Sequence, residues 1–575
     1  MTDVPPDDSR ATDPIASLAD AFWEAFLAAN PTTATAVGDH RYDDRLEDRS
    51  PGGIGAEVAA LRALRARVVG ADSPDWVTRA ELLAEIDGRL VGLESGMEAW
   101  SVDPLNGPQV SLPNLTQVQD VGTPDEAAVM VARWRAMGPY LDQEVANLRT
   151  GLAAGRTAPV DPVRRTIDQL GALEALRIED SPLLSPLGAD RPGWTEPERE
   201  RFATELTAAV RDTIQPAFAR YRALLEDEIL PAARPADRVG VGHLPGGDET
   251  YRRLIRVHTT RDLEPEAIHR TGLDEIARID AELGARGARI LGTRDLGATL
   301  AALRSDPALH FGTGDEIVAT AERSLARARA ALPAWFDRLP RAGCEVARIP
   351  DHEAPHSTIA YYLWPAPDGS RPGRYYVNVH EPETRPRYEA EALAFHESIP
   401  GHHLQIALAQ ERTDLPAFRR HLGSTAFAEG WGLYSERLAD EMGLYTSEHD
   451  RFGILSFDAW RACRLVVDTG MHALGWSRDR AIEFMVEHTA LARNNIENEV
   501  DRYIVWPGQA LGYKVGQLEI LALRATARAR LGAAFDVRAF HDVVLAEGAV
   551  SLETLARIVS AWLGRGGGPP ASGSA

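Results

Sequence analysis

The sequence predicts a mainly α-helical protein with a small β-hairpin beside its candidate active site. Apolar residues recur at three- and four-residue intervals through most of the 575 residues, which is typical of amphipathic helices. One pair of segments has instead the β-branched and aromatic composition of strands. A hydrophobic fraction of 44% and a charged fraction of 26% are those of a globular protein with a large core.

The pattern is helical almost throughout from residue 15 to about residue 230, and we predict residues 15–235 to form an N-terminal helical lobe without a cluster of catalytic residue types. Its predicted helices are Ile15–Ala29, Glu57–Val68, Val77–Ser95, Pro124–Gly151 and Glu196–Glu228. A Pro- and Gly-rich stretch at 231–245 follows, so we place a domain boundary near residue 235 and a catalytic lobe at 236–563. Residues 1–14 and 564–575 have the composition of disordered tails.

The net charge and the hydropathy of the chain argue against nucleic-acid and membrane partners. A net charge of −23 argues against a nucleic-acid partner, because the phosphate backbone attracts basic proteins. Residues 1–14 are acidic and Pro-rich without the apolar core of a signal peptide, and no run approaches 18 apolar residues. We therefore predict a cytoplasmic protein without a membrane partner. The sequence assigns no oligomeric state.

Two segments in the second half predict the hairpin. Ile359–Trp364 and Arg374–Val379 are rich in tyrosine and β-branched residues, and a turn of Pro, Asp and Gly separates them. The edge of such a hairpin could pair with an extended peptide. The hairpin leads directly into the helix that carries His396.

That helix contains an irregular metal-binding pattern. In the H-E-x-x-H motif two histidines one helical turn apart bind zinc and the glutamate acts as general base. Here His396 and Glu397 are followed by Pro400 where the second histidine would stand. Proline lacks the N–H for the helical hydrogen bond and clashes with the carbonyl of residue 396. We therefore expect the helix to bulge or restart between His396 and Gly401, so that a later histidine can reach the metal.

The residues themselves leave the second ligand open between His402 and His403. Glu429, on a following helix, supplies a third ligand, and Glu436, two turns later, could orient a ligating histidine. Gly430 and Gly432 would let neighbouring helices approach closely. Two histidines and one carboxylate leave a position open for water, as catalytic zinc requires. Manganese, cobalt or iron could bind similar ligands.

The segment His396–Gln405 reads H-E-S-I-P-G-H-H-L-Q and resembles the H-E-x-x-P-G-H-H-L-Q signature of a bacterial family. The family is catalogued as domain of unknown function 885 and regarded as zinc-metallopeptidase-like. Blocks at 429–436, 502–516 and 31–43 are also similar to it, so the resemblance spans nearly the whole chain. It implies a two-lobed helical body with a deep cleft, and it favours His402 as the ligand. His403 is then left for a hydrogen bond behind the metal site.

The block at 502–516 suggests further roles. Similar helical peptidases use late hydroxyl donors, so we predict Tyr513 as the donor to the oxyanion, with Tyr503 as second choice. Lys514 and Arg502 could hold a substrate carboxylate, which would favour short peptides with free C-termini, although structural ion pairs explain both equally well. Lys514 is the only lysine in the chain, which suggests a position where a guanidinium does not fit.

Together these features predict a zinc-dependent hydrolase, a metallopeptidase in which Glu397 activates water for attack on the amide carbonyl of a short peptide. One alternative is a metal-dependent amidase acting on a specialised metabolite. Another is a metal-stabilised helical binding protein without turnover. The sequence does not distinguish exo- from endopeptidase cleavage, nor does it identify the native metal.

Overall fold

The computed structural model describes residues 13–350, 354, 358–366, 369 and 371–568, which are mainly helical. The helices before the sheet are α1 Pro14–Ala29, α2 Pro31–Ala36, α3 Pro51–Gly70, α4 Trp76–Glu94, α5 Pro108–Asn114, α6 Pro124–Ala153, α7 Val160–Ala175, α8 Glu196–Ala209, α9 Gln215–Leu224, α10 Leu230–Ala232, α11 Gly247–Thr259, α12 Pro265–Ile290, α13 Leu296–Ser305 and α14 Gly314–Ala331.

Three strands and a second series of helices follow. They are β1 Cys344–Arg348, β2 Ala360–Leu363, β3 Gly373–Val377, α15 Arg387–Glu397, α16 His402–Gln410, α17 Ala417–His421, α18 Thr425–Glu441, α19 Arg451–His472, α20 Arg478–His488, α21 Arg493–Val505, α22 Leu511–Leu531, α23 Val537–Leu545 and α24 Leu552–Gly564. The prediction of a mainly helical chain is confirmed.

Local sequence signals explain where several helices begin. Thr123 accepts a hydrogen bond from the backbone of Glu126, whose carboxylate returns to the backbone of Thr123, and this capping box starts α6. Thr195 and Glu198 start α8 in a similar way. A π-helical turn at Val210–Ile214 joins α8 to α9, so the long helix predicted from residue 196 is present with a local change of winding.

The chain divides into two compact units. The first contains residues up to Asp75, Glu85–Thr250 and Gly475–Arg478, and the second contains the remainder. The division therefore falls near residue 250, whereas the composition placed it near 235. Trp76–Ala84 belongs to the second unit because Glu81 there accepts hydrogen bonds from the backbone and hydroxyl of Ser551.

The first unit has a core of its own. Met130, Trp134, Met137 and Leu141 are fully buried along α6, where they join one apolar cluster with residues of α8 and α9. The Trp134 indole N–H donates to the Leu183 carbonyl at 3.1 Å, so its one polar atom is satisfied within the core.

The second unit is built around α19, in which every residue from Phe452 to His472 is buried. A helix covered on all sides is expected to be apolar throughout, yet α19 also carries buried arginines and aspartates. Helix α18 packs closely on α22, where Gly430 and Gly516 face each other. A Cβ on Gly516 would lie 1.8 Å from the Ala426 carbonyl oxygen, so only glycine permits this crossing.

The sheet has the strand order β1-β3-β2. Strands β2 and β3 pair antiparallel with Tyr361 opposite Tyr376, which confirms the predicted hairpin. Strand β1 pairs parallel to β3 and was not predicted. The order leaves β2 at an edge of the sheet.

The predicted tails lie mainly outside the described residues, which exclude 1–12 and 569–575. Within the described part, Pro14 begins α1 and Gly564 ends α24. No helix in that part is both long and apolar enough to cross a bilayer.

The α18–α22 crossing gives a first prediction. We expect Gly516→Ala to lower the free energy of unfolding by about 1–3 kcal/mol, because the added methyl group must push two packed backbones apart. The control is Gly92→Ala in α4, where a Cβ meets no atom within 4 Å and helix propensity should stabilise by about 0.5–1 kcal/mol. Calorimetric unfolding of both variants provides the comparison. Equal stability of Gly516→Ala and wild type would contradict the packing argument.

Candidate metal centre

The predicted interruption of the site helix is present at Pro400. Helix α15 ends at Glu397, α16 begins at His402, and Ser398–Gly401 connects them. A Cβ on Gly401 would lie 1.9 Å from the His396 carbonyl oxygen, so glycine is required where the chain folds back on the end of α15. The indole N–H of Trp431 donates to the Pro400 carbonyl at 2.9 Å and fastens this connection to α18.

The reversal brings three predicted ligands together. The Glu429 Oε2 atom lies 3.4 Å from His396 Nε2 and 3.6 Å from His402 Nε2. One ligand atom from each residue lies within 4.8 Å of the other two, and they are the only such group of histidine, cysteine or acidic residues in the described part of the chain. Two imidazole nitrogens and a carboxylate oxygen at this spacing suit a divalent zinc ion.

His396 is oriented from behind by Glu436. The His396 Nδ1 atom lies 2.8 Å from Glu436 Oε1, as the sequence suggested, and both side chains are almost wholly buried. This bond places a proton on Nδ1 and turns Nε2 toward Glu429, where a bound metal ion would replace the second ring proton. Burial opposes positive charge on His396, but the hydrogen bonds to Glu429 and Glu436 raise its pKa to about 9. The two carboxylates thus stabilise positive charge at this ring.

His403 turns away from the three ligands. Its Nε2 donates to the Ala342 carbonyl at 3.1 Å, which leaves Nδ1 to accept from the Tyr362 hydroxyl at 2.8 Å. Burial lowers the pKa of His403 to about 4, so the ring is neutral. Its contacts fix α16 to the sheet, and both ring nitrogens bond to groups other than the three candidate ligands. The geometry therefore favours His402 as the second ligand.

Glu397 lies beside the three ligands and lines a cavity of about 440 Å³. Burial raises the pKa of its carboxyl group, and the charges of His402 and His396 oppose that rise. A carboxylate with a raised pKa is a stronger base than an exposed one. The same cavity is lined by residues from β2, α15, α16, α18, α19, α21 and α22, all within the second unit.

Comparison with known proteins identifies the family. The family model described as "Bacterial protein of unknown function (DUF885)" matches residues 31–559. The chain belongs to the DUF885 family. No curated protein matches the sequence.

Two solved structures resemble the whole fold. One is described as "the putative lipoprotein from Colwellia psychrerythraea", with 29% identity, a TM-score of 0.89 and coverage of 96% of this chain and 100% of that one. The other is described as "a putative lipoprotein of unknown function from Shewanella oneidensis", with 18% identity, a TM-score of 0.75 and coverage of 95% and 99%. At 18% identity, the Shewanella oneidensis structure shows only that the two proteins share a fold.

The two predicted oxyanion donors differ in position. Tyr513 lines the cavity, and no described residue forms a hydrogen bond with its hydroxyl. Tyr503 is fully buried, and its hydroxyl donates to Glu499 at 2.7 Å while accepting from Arg464 and Trp460 at 2.9 and 3.1 Å. Because these bonds already occupy the Tyr503 hydroxyl, it fits a positioning role, and Tyr513 is the better candidate donor.

Lys514 does not join the site. Its side chain is 1% exposed, and its ammonium group is bonded to Asp458, to Glu275 at 2.9 Å and to Gln517 at 2.8 Å. Although burial alone would raise the pKa of Asp458, Lys514 and neighbouring Arg437 hold it far below its usual range. The three contacts account for all three ammonium protons, so the predicted substrate role of Lys514 is replaced by a structural one.

Arg502 does line the cavity, but it is occupied by protein partners. It donates to Glu499 at 3.0 Å and to Gln509 at 2.8 Å. Sequence reasoning missed two other cavity arginines, Arg461 and Arg464 of α19. Their one sequence signal is the presence of charge in an otherwise apolar helix.

The bond behind His396 gives a second prediction. We expect Glu436→Gln to weaken zinc binding by about 10- to 100-fold, because a neutral amide stabilises the ligating imidazole less than a carboxylate does. Glu441→Gln is the matched control, since Glu441 ends the same helix and pairs with Arg524 instead. Competition with a calibrated chelator measures both affinities. Equal affinities in the two variants would exclude an orienting role for Glu436.

Proposed function

We propose that the protein is a zinc-dependent hydrolase that cleaves amide bonds in short peptides. The observation that carries this proposal is the convergence of His396 Nε2, His402 Nε2 and Glu429 Oε2 beside Glu397 in one cavity. A structural metal site would need the three ligands but not the adjacent basic carboxylate. Bound there, zinc would lower the pKa of a water molecule and polarise the amide carbonyl.

The side chains of this chain supply the remaining chemistry. Glu397 accepts a proton from the attacking water and can return it to the leaving nitrogen. The Tyr513 hydroxyl donates a hydrogen bond to the oxyanion that develops on the carbonyl. Burial raises the pKa of Tyr513, so this hydroxyl keeps its proton and stays a donor at neutral pH.

Two features of the cavity support a peptide substrate. Edge strand β2 contributes Ala360, Tyr361 and Tyr362 to the cavity wall, and an edge strand can hydrogen-bond an extended peptide backbone. Trp460 and Phe457 provide apolar surface for a substrate side chain. A cavity of about 440 Å³ suits a small ligand rather than a folded protein.

Glu397 gives the decisive test. We expect purified protein to bind one zinc ion, and Glu397→Gln to lower kcat by about 10²- to 10⁴-fold while zinc content is unchanged, because the amide cannot accept a proton. The assay is digestion of a short-peptide library read by mass spectrometry, with a panel of non-peptide amides in parallel. Turnover confined to the amide panel would favour the metabolite amidase. Unchanged turnover in Glu397→Gln would refute the mechanism.

Tyr513 gives an independent test. We expect Tyr513→Phe to lower kcat by about 10²- to 10³-fold with little change in KM, because its hydrogen bond strengthens only as the oxyanion forms. Tyr503→Phe should instead lower thermal stability, since it removes a buried donor to Glu499. Steady-state kinetics and melting temperatures separate the two effects. The assignment fails if the two variants exchange these phenotypes.

A further inference from the structure

Arg461 is an unusual residue in the wall of the cavity. It is 6% exposed, and its guanidinium carbon lies 4.2 Å from the Trp460 ring centre and 4.6 Å from that of Phe457. Its Nε and Nη1 atoms are buried without a hydrogen-bond partner among the described residues. No other described side chain has two buried nitrogens in this condition.

No described carboxylate forms an ion pair or a hydrogen bond with Arg461, although the charges of Glu436 and Glu429 act on it. Glu499, another carboxylate that lines the cavity, already pairs with Arg464 and Arg502 at 3.0 Å each. The Nη1 atom of Arg464 is also buried without a partner in the described part of the chain. Burying a cation without hydrogen-bond partners is unfavourable, and a bound anion would supply the missing partners.

Arg461 is also close to the candidate metal centre. It lines the same cavity as His396, His402 and Glu429, and its charge acts on the carboxyl group of Glu397. A ligand that fills the cavity can therefore contact the guanidinium and the metal ligands at the same time. This places a positively charged subsite within the reach of a small substrate.

We propose that Arg461 binds the free carboxylate of the substrate, so that the enzyme acts on short peptides and N-acyl amino acids whose scissile amide lies near their C-terminus. The inference rests on the proposed hydrolase function and names its substrate class. A guanidinium offers two parallel N–H donors that match the two oxygens of a carboxylate. The rings of Trp460 and Phe457 pack against the guanidinium and limit its movement, which lowers the entropic cost of binding such a partner.

The substrate role is assigned to Arg461 rather than to Arg502 for a physical reason. Arg502 already donates hydrogen bonds to Glu499 and Gln509, and binding a substrate there would break those bonds. The Nε and Nη1 atoms of Arg461 have no hydrogen bond to a described residue that an anion would have to break. Replacing Arg461 should therefore weaken recognition of the substrate carboxylate while the hydrogen bonds around Glu499 remain.

The test compares free acids with their C-terminal amides in the zinc-loaded protein. One arm measures turnover of a short-peptide library before and after amidation, by mass spectrometry. The other measures binding of N-acetyl-Phe-Phe and its amide by calorimetry. We expect wild type to prefer the acid by about 10- to 100-fold in each arm, since a charge-assisted pair is lost in the amide. Arg461→Gln should abolish the preference and Arg461→Lys should restore part of it.

Arg451→Gln is the matched control, because Arg451 begins the same helix but pairs with Asp440 and Glu448. Equal binding of acid and amide by wild type, or a preference that survives in a folded Arg461→Gln variant, overturns the inference even if peptides are cleaved. An acid preference lost in Arg461→Gln without any turnover supports the subsite and refutes the hydrolase. If neither Arg461 variant folds, the comparison of acid with amide in the wild-type protein decides whether the carboxylate subsite exists.

Discussion

Pro400 cannot donate the backbone hydrogen bond that would continue α15 past Glu397, and the candidate metal centre depends on that constraint. Because the helix stops, the chain can fold back over the His396 carbonyl. A Cβ at residue 401 would collide with that carbonyl, so only glycine fits there. Helix α16 then starts at His402 and directs that ring to Glu429. An unbroken helix would point residues 396 and 402 about 240° apart, and no shared ligand site would form.

The second unit also places an uneven distribution of charge inside an apolar framework. Lys514 of α22 pairs with Asp458 of α19 and with Glu275, and Gln517 completes the contacts of the ammonium group. Arg461, further along α19, has no such partner in the described residues. The network around Lys514 is therefore fully hydrogen-bonded and structural, whereas the cavity wall at Arg461 keeps donors that a ligand can use. Buried polar groups that satisfy one another stabilise a fold, whereas unsatisfied ones are available to a ligand.

Sequence patterns predicted those features that depend on neighbouring residues. The hairpin, the long helices and the interruption at Pro400 each follow from local composition. Strand β1 could not be predicted, because its parallel partner β3 lies about thirty residues away and a short strand gives a weak pattern. Likewise, the orientation of His403 depends on Tyr362, which is contributed by a strand forty-one residues earlier. The sequence does not single out Arg461. Because α19 is buried on every side, its pattern of polar and apolar residues has no period that would indicate the cavity.

The single lysine of the chain has a practical consequence. Lys514 is 1% exposed and held by three acceptors, so the one side-chain amine in the sequence is protected in the folded state. Arginine, which carries nearly all the positive charge elsewhere, does not react with amine reagents. Labelling of residue 514 would therefore require the α19–α22 packing to open. Its rate would measure how often this unit opens, without any engineered probe.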